Sequence, residues 1–141
     1  MMSKNGSKSE DFHNFCDNKG PTLTLIKTSK NHVFGGFTPL SWNCSGKNLN
    51  DTSNQTFIFS LNSLKSYNMK STSKKAIQCF KGKGPTFGDS DIRVNENMTQ
   101  GKSYANSCCN FLADKKLELI GSIGDSEEFN IDEIEIYKVI Y

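Results

Sequence analysis

Residues 20–42 read GPTLTLIKTSKNHVFGGFTPLSW, and this stretch decides the fold. It holds two β-rich runs, 22–28 and 31–37, joined by a short polar link. Each run needs the other, because an isolated strand leaves its backbone N–H and C=O groups unpaired. In the first run Leu23 and Leu25 fall on one face and Thr24 and Ile26 on the other. In the second, Val33, Gly35 and Phe37 share a face, with Phe34 and Gly36 opposite. Adjacent glycines weaken a strand, so Gly35-Gly36 predicts a bulge or the close approach of another segment. The neighbours expected there are residues 101–111 or the closing strand. Residues 38–42 leave the sheet and end on Trp42, the only Trp, whose indole N–H needs a partner if buried.

Upstream, residues 9–16 (SEDFHNFC) set Phe12, Phe15 and Cys16 at i, i+3 and i+4, one face of a short helix. Ser9 or Asp11 is the expected N-cap, and Gly20-Pro21 stops the chain from continuing as helix. His13 is expected to face water. Residues 1–8 read as a disordered leader and residues 9–141 as a single domain.

Downstream, residues 43–55 form a polar loop, and residues 56–61 (TFIFSL) a strand apolar on both faces, hence central. Residues 62–75 are a polar connection interrupted by Leu64, Tyr67 and Met69. Residues 76–81 (AIQCFK) are the next strand, residues 82–88 (GKGPTFG) a glycine-rich turn, and residues 91–95 a short strand. Residues 101–111 are irregular or weakly extended, and residues 117–120 and 133–139 are the last strands. Strands do not alternate with helices, which argues against a parallel doubly wound sheet. The fold expected is mainly β: two antiparallel sheets packed as a sandwich, flanked by one or two short helices.

Composition narrows the function classes. A net charge of +2 over 141 residues, with no basic run interleaved with aromatics, argues against nucleic acid. No apolar run reaches the roughly 20 residues of a membrane span, and the polar start MMSKNGSKSE has no hydrophobic signal core. A cytoplasmic chain is expected. Five cysteines, Cys16, Cys44, Cys79, Cys108 and Cys109, are irregularly spaced, so free thiols packed as small apolar residues are expected. No C-x-x-C pair marks a zinc site, and no metal or cofactor is expected.

Three features carry chemistry. Glu135 shares a strand face with Glu133, Tyr137 and Val139, opposite Ile134 and Ile136. It reads as a contact for a partner, as a general acid or base, or as a solvated edge carboxylate, and no histidine lies near it in sequence. The vicinal pair Cys108-Cys109 invites a redox reading, but adjacent strand positions point to opposite faces, so one packs inward and one outward. Residues 82–88 do not match a phosphate loop, because the last glycine is followed by Asp89-Ser90-Asp91, whose carboxylates would repel phosphate, and not by the Lys of a Walker loop. Lys74, Lys75, Lys81 and Lys83 make a modest basic cluster, a solvated face that could touch an anionic lipid or an acidic partner.

The order of the motifs resembles the TLDc domain family. The residues that carry it are Phe12-x-x-x-Cys16, Gly20-Pro21-Thr22-Leu23, Val33-Phe34-Gly35-Gly36-Phe37, Phe57-Ile58-Phe59-Ser60-Leu61 and Phe87-Gly88. They continue with Gly101-x-Ser103, Ser107-Cys108-x-x-Phe111 and the closing Ile134-Glu135-Ile136-Tyr137. The resemblance implies a two-sheet sandwich with short helices and protection against oxidative damage. It also implies, as in several members, binding to the peripheral part of the vacuolar proton pump. The family positions fall at Gly35, Gly36, Gly88, Gly101, Ser107, Cys108 and Glu135. Two departures stand out: a polar leader where members carry a leucine-rich front element, and Asn106 where many animal members have a histidine. The front of the domain is therefore expected to be shortened, and a Gly-His-Glu cluster to lack its histidine. The function expected is a non-enzymatic interaction module in oxidative-stress resistance. The alternatives are a weak thiol- or carboxylate-dependent antioxidant enzyme and an anionic-lipid surface module.

Overall fold

A computed structural model describes residues 8–70, 72–89, 91–100, 102–105, 111 and 128–140. The expected leader lies outside the described residues except for Lys8, and so do the expected strand at 117–120 and the Cys108-Cys109 pair. The described chain forms two antiparallel sheets and one helix, α1 (Ser9–Cys16).

The first sheet is built on the opening stretch. Strand β1 (Thr22–Thr28) pairs with β2 (Val33–Thr38) on one side and with the last strand, β11 (Ile131–Lys138), on the other. Strand β4 (Phe57–Ser60) follows β2, and β5 (Lys65–Asn68) closes the order β11-β1-β2-β4-β5. Thus β4 is an interior strand, as its apolar character on both faces requires. The second sheet runs β10-β9-β8-β7-β6-β3, with β3 (Lys47–Leu49), β6 (Ile77–Cys79), β7 (Thr86–Phe87), β8 (Ile92–Arg93), β9 (Ser103–Tyr104) and β10 (Glu128–Phe129).

The core lies between the sheets. Ile26, Phe34, Ile58, Ile134 and Ile136 point inward from the first sheet, and Ile77, Cys79, Phe87 and Ile92 from the second, each almost fully buried. Aromatic edges lock the layers: Trp42 meets Phe87 at 5.6 Å and Phe12 at 5.2 Å, and Phe34 meets Phe129 at 5.1 Å. Trp42 is fully buried and its Nε1–H donates to Thr22 Oγ1 at 2.9 Å, the partner that its burial demands.

Several expectations are corrected. The polar loop at 43–55 contains β3, and the polar connection at 62–75 contains β5. Both strands are mostly polar because each lies at a sheet edge, where burial on one face is slight. The turn at 82–88 ends in β7, whose Thr86 and Phe87 are buried. The N-cap of α1 is Lys8, not Ser9 or Asp11; its backbone N–H donates to Asp11 Oδ2 at 3.1 Å. No bulge sits at the double glycine. The register shift falls between Lys27 and Thr28 against β11, where Lys27 faces Glu133 and Thr28 faces Ile131.

One buried carboxylate braces the entry to β4. Asp51 accepts hydrogen bonds from the backbone N–H groups of Ser53, Gln55 and Thr56 and from Thr56 Oγ1 at 2.7 Å. Thr56 Oγ1 lies 3.1 Å from Thr38 Oγ1, which links this loop to the end of β2. Burial alone would raise the Asp51 pKa, but the Ser53 and Thr56 donors outweigh it and hold the carboxyl below the usual carboxylate range.

Candidate functional site

The outer face of the first sheet is the more unusual surface. Cross-strand register aligns Tyr137, Leu23, Phe37 and Phe57 in one row and Glu135, Leu25, Gly35 and Phe59 in the next. Lys27 lies between Glu133 and Val33 in a third. This face, away from the core, therefore carries two leucines, a valine and three phenylalanines. Leu23, Leu25, Val33, Phe37, Phe57 and Phe59 all keep part of their surface accessible. Phe57 bridges Phe37 at 5.6 Å and Phe59 at 6.1 Å, a continuous aromatic strip. Along its β11 side runs an acidic rim, Glu133 and Glu135, and a hollow of about 130 Å³ lies between Leu25, Lys27, Val33 and those two glutamates. Tyr137 Oη donates to Glu135 Oε2, and that hydrogen bond raises the phenol pKa.

The positions expected from the resemblance fall in different surroundings. Gly35 and Glu135 stand on either side of Leu25 in one row, with one strand between them. Gly36 points the other way, into the core. A methyl carbon on Gly36 would lie 2.6 Å from Phe87 Cζ, and one on Gly35 would run into the Thr24 carbonyl. The close approach expected at the double glycine is therefore present, but its partners are Phe87 of the second sheet and the neighbouring β1 backbone. The closing strand is not among them, and residues 101 and 106–110 lie outside the described residues. Gly88 is buried in the turn after β7, at φ 65°, and its N–H donates to Ala76 O at 2.8 Å. A left-handed turn there explains a glycine without any ligand. Gly101, Ser107 and Cys108 lie outside the described residues.

A second constellation sits at the end of α1. His13, expected to face water, is only 7% exposed. The reason is that the turn after β6 folds over it: its Nε2 lies 2.8 Å from Phe80 O and 3.1 Å from Lys83 O. Its Nδ1 faces Asp17 Oδ1 at 2.7 Å, and Cys44 Sγ–H donates to Asp17 Oδ2 at 3.1 Å. A cleft of about 590 Å³ opens beside these three side chains. Sequence spacing alone misses this group, because Cys44 comes from a loop 27 residues beyond Asp17. Of the three, His13 and Asp17 alone are near in sequence, at i, i+4.

The described thiols are not activated. Burial pushes Cys16 up to about 12, with the Asp17 charge adding to it. Desolvation and the hydrogen bond to Asp17 push Cys44 up to about 11, and burial raises Cys79. A nucleophilic or redox-sensing thiol needs the opposite shift.

A family model described as the TLDc domain matches residues 1–140 of the chain. No curated protein matches it.

Proposed function

Because the chain belongs to the TLDc domain family, whose membership supports a broad role in oxidative-stress resistance, we propose that it acts as a non-enzymatic protein-interaction module. The observation that carries this reading is the apolar outer face of the β11-β1-β2-β4-β5 sheet, with its aromatic strip and acidic rim. Contiguous accessible apolar surface rimmed by charge is the physical mark of a partner surface. The acids of the rim favour a partner segment whose apolar side chains are flanked by Lys or Arg. Binding of this kind in the cytoplasm to the peripheral part of the vacuolar proton pump is the specific form proposed. No helix among the described residues is long and apolar enough to cross a membrane.

The two other readings draw less support. A thiol- or carboxylate-dependent enzyme would rest on Cys108, Cys109 or Glu135; the two cysteines lie outside the described residues, and the three described thiols are shifted upward, away from reactivity. A lipid module would draw on Lys74, Lys75, Lys81 and Lys83, of which Lys75 is paired with Asp89 at 3.1 Å.

The test is size-exclusion co-elution of the full chain with the purified peripheral sector of the pump. Co-elution that Leu25→Glu or Phe59→Glu abolishes, with the circular-dichroism spectrum unchanged, is the expected result. Failure of the unaltered chain to co-elute overturns the pump as partner, and co-elution that survives both variants overturns the outer face as the surface.

A further inference from the structure

We propose that His13 Nδ1, the Asp17 carboxylate and Cys44 Sγ form a binding site for a zinc-class divalent transition-metal ion, with its fourth position open to the adjoining cleft. This site is independent of the partner surface above.

The histidine argues first. Carbonyl oxygens only accept, so the Nε2 that faces Phe80 O and Lys83 O must carry a hydrogen. The other nitrogen, Nδ1, is thereby the one turned toward Asp17, at 2.7 Å. A bare lone pair facing a carboxylate at that distance is repulsive. A cation is wanted between them, either a second ring proton or a metal ion. A ring whose outer N–H is held by backbone carbonyls while the inner nitrogen faces other ligands is the arrangement that metal-binding histidines adopt.

A second ring proton would account for the His13–Asp17 contact, with Cys44 Sγ–H donating to the other carboxylate oxygen at 3.1 Å. A metal accounts for all three, whose donor atoms lie within 4.8 Å of one another. Tetrahedral coordination with bonds of about 2.0–2.3 Å separates donors by about 3.3–3.7 Å. The observed contacts of 2.7 Å and 3.1 Å to the two Asp17 oxygens reach that range by parting under about 1 Å, and the remaining donor separation, within 4.8 Å, by closing about as much. Coordination breaks the S–H bond and releases its proton to solvent, while the sulfur lone pair forms the metal bond. A thiolate and a carboxylate then balance a divalent ion. Imidazole, carboxylate and thiolate suit a borderline ion such as zinc, whereas magnesium and calcium take oxygen donors.

The frame is already assembled. His13 and Asp17 sit at i, i+4 and are tied by the Asp17 N–H bond to His13 O at 2.9 Å. The loop carrying Cys44 is fastened to the helix end by the Asn18 N–H bond to Trp42 O, also 2.9 Å. Side chains held by backbone in this way lose little freedom on binding. Of the charged groups facing the cleft, Lys19 and Lys81 oppose a cation, and Glu10 and Glu96 offset them.

The experiment takes the full chain, strips it with a chelator and titrates it with Co²⁺, then Zn²⁺. One Co²⁺ per chain with a sulfur-to-metal charge-transfer band, displaced by Zn²⁺ and not by Mg²⁺, is expected. Cys44→Ser should erase the band, and both Cys44→Ser and Asp17→Asn should weaken binding at least about tenfold with the fold intact by circular dichroism. The double variant Cys108→Ser, Cys109→Ser should leave band and affinity unchanged. No stoichiometric uptake, a band that survives Cys44→Ser, or a band lost in the double variant would each overturn the site.

Discussion

The two faces of the β11-β1-β2-β4-β5 sheet are both apolar, yet they are apolar in different ways. On the inner face Ile26, Phe34, Ile58 and Ile136 are fully buried, and the place beside Gly36 is filled by Phe87. On the outer face Leu23, Leu25, Phe37, Phe57 and Phe59 keep part of their surface exposed, and glutamates stand among them. The inner face is held in place by complementary packing, so it tolerates little change in volume. The outer face has apolar area without such a counterpart among the described residues. Substitutions on the two faces should therefore separate stability from binding.

The largest effect should come from the glycine between the faces. Gly35→Ala drives a methyl group into the β1 backbone at Thr24, and a ladder carbonyl has no rotamer with which to yield. A loss of about 4 kcal/mol or more is expected, which places the variant near or below the folding threshold. Gly36→Ala meets the end of the Phe87 ring instead, and overpacking of about 1–3 kcal/mol is expected. Urea denaturation of both variants ranks them, and Gly36→Ala proving the worse would break the assignment of Gly35 to the backbone.

Next is the direct contrast of neighbours. Ile26→Ala opens a cavity in the core and should cost about 3 kcal/mol. Leu25→Ser, one residue away on the partly exposed face, should cost less, about 1 kcal/mol. Equal losses in thermal or urea unfolding would mean that the outer face is as tightly packed as the inner, and the reading of it as a partner surface would fall.

These contrasts mark what was legible. The alternation in 22–28 and 31–37 assigned residues to faces correctly, because a period of two leaves no freedom once the strands pair. It did not say which face was the core. Ile26 with three threonines against Leu23 and Leu25 reads the wrong way by hydrophobicity alone, and only the opposing sheet decides it. The strands β3 and β5 were illegible because KNL and KSYN owe their conformation to pairing with β6 and β4 rather than to their own composition. The cleft at His13, Asp17 and Cys44 was illegible for a related reason: tertiary contacts at Phe80, Lys83 and Trp42 assemble it, and no local spacing encodes them.

The inner face also has a polar end, and pH tests it. Asp51→Asn should cost about 2 kcal/mol at neutral pH by weakening charge-assisted hydrogen bonds from Thr56 and its neighbours. The folded-state pKa of Asp51 lies below its unfolded value, so its stabilisation is present above about pH 4 and is lost as pH falls through the folded pKa. The unaltered protein should therefore lose stability on acidification more steeply than Asp51→Asn. Parallel acid limbs in urea titrations would show that the Asp51 network contributes nothing specific to the end of β2.

The smallest structural effect is expected where the outer face meets solvent. Tyr137 is 36% exposed and its hydroxyl donates to Glu135, the carboxylate beside Leu25. That bond raises the phenol pKa, so the phenolic absorbance should titrate above its ordinary range and return toward it in Glu135→Gln. Neither Tyr137→Phe nor Glu135→Gln should change the urea midpoint measurably, since nothing buried depends on the pair. Their effects on partner binding should differ. Loss of the carboxylate removes the rim charge that attracts a basic segment, whereas loss of the hydroxyl leaves that charge in place and only frees its rotamers. Glu135→Gln weakening the partner at least about tenfold, with Tyr137→Phe weakening it less, would assign the outer face to recognition. If Glu135→Gln instead lowers the urea midpoint while binding is retained, Glu135 belongs to the strand and not to a surface, and the two faces differ only in how completely they are covered.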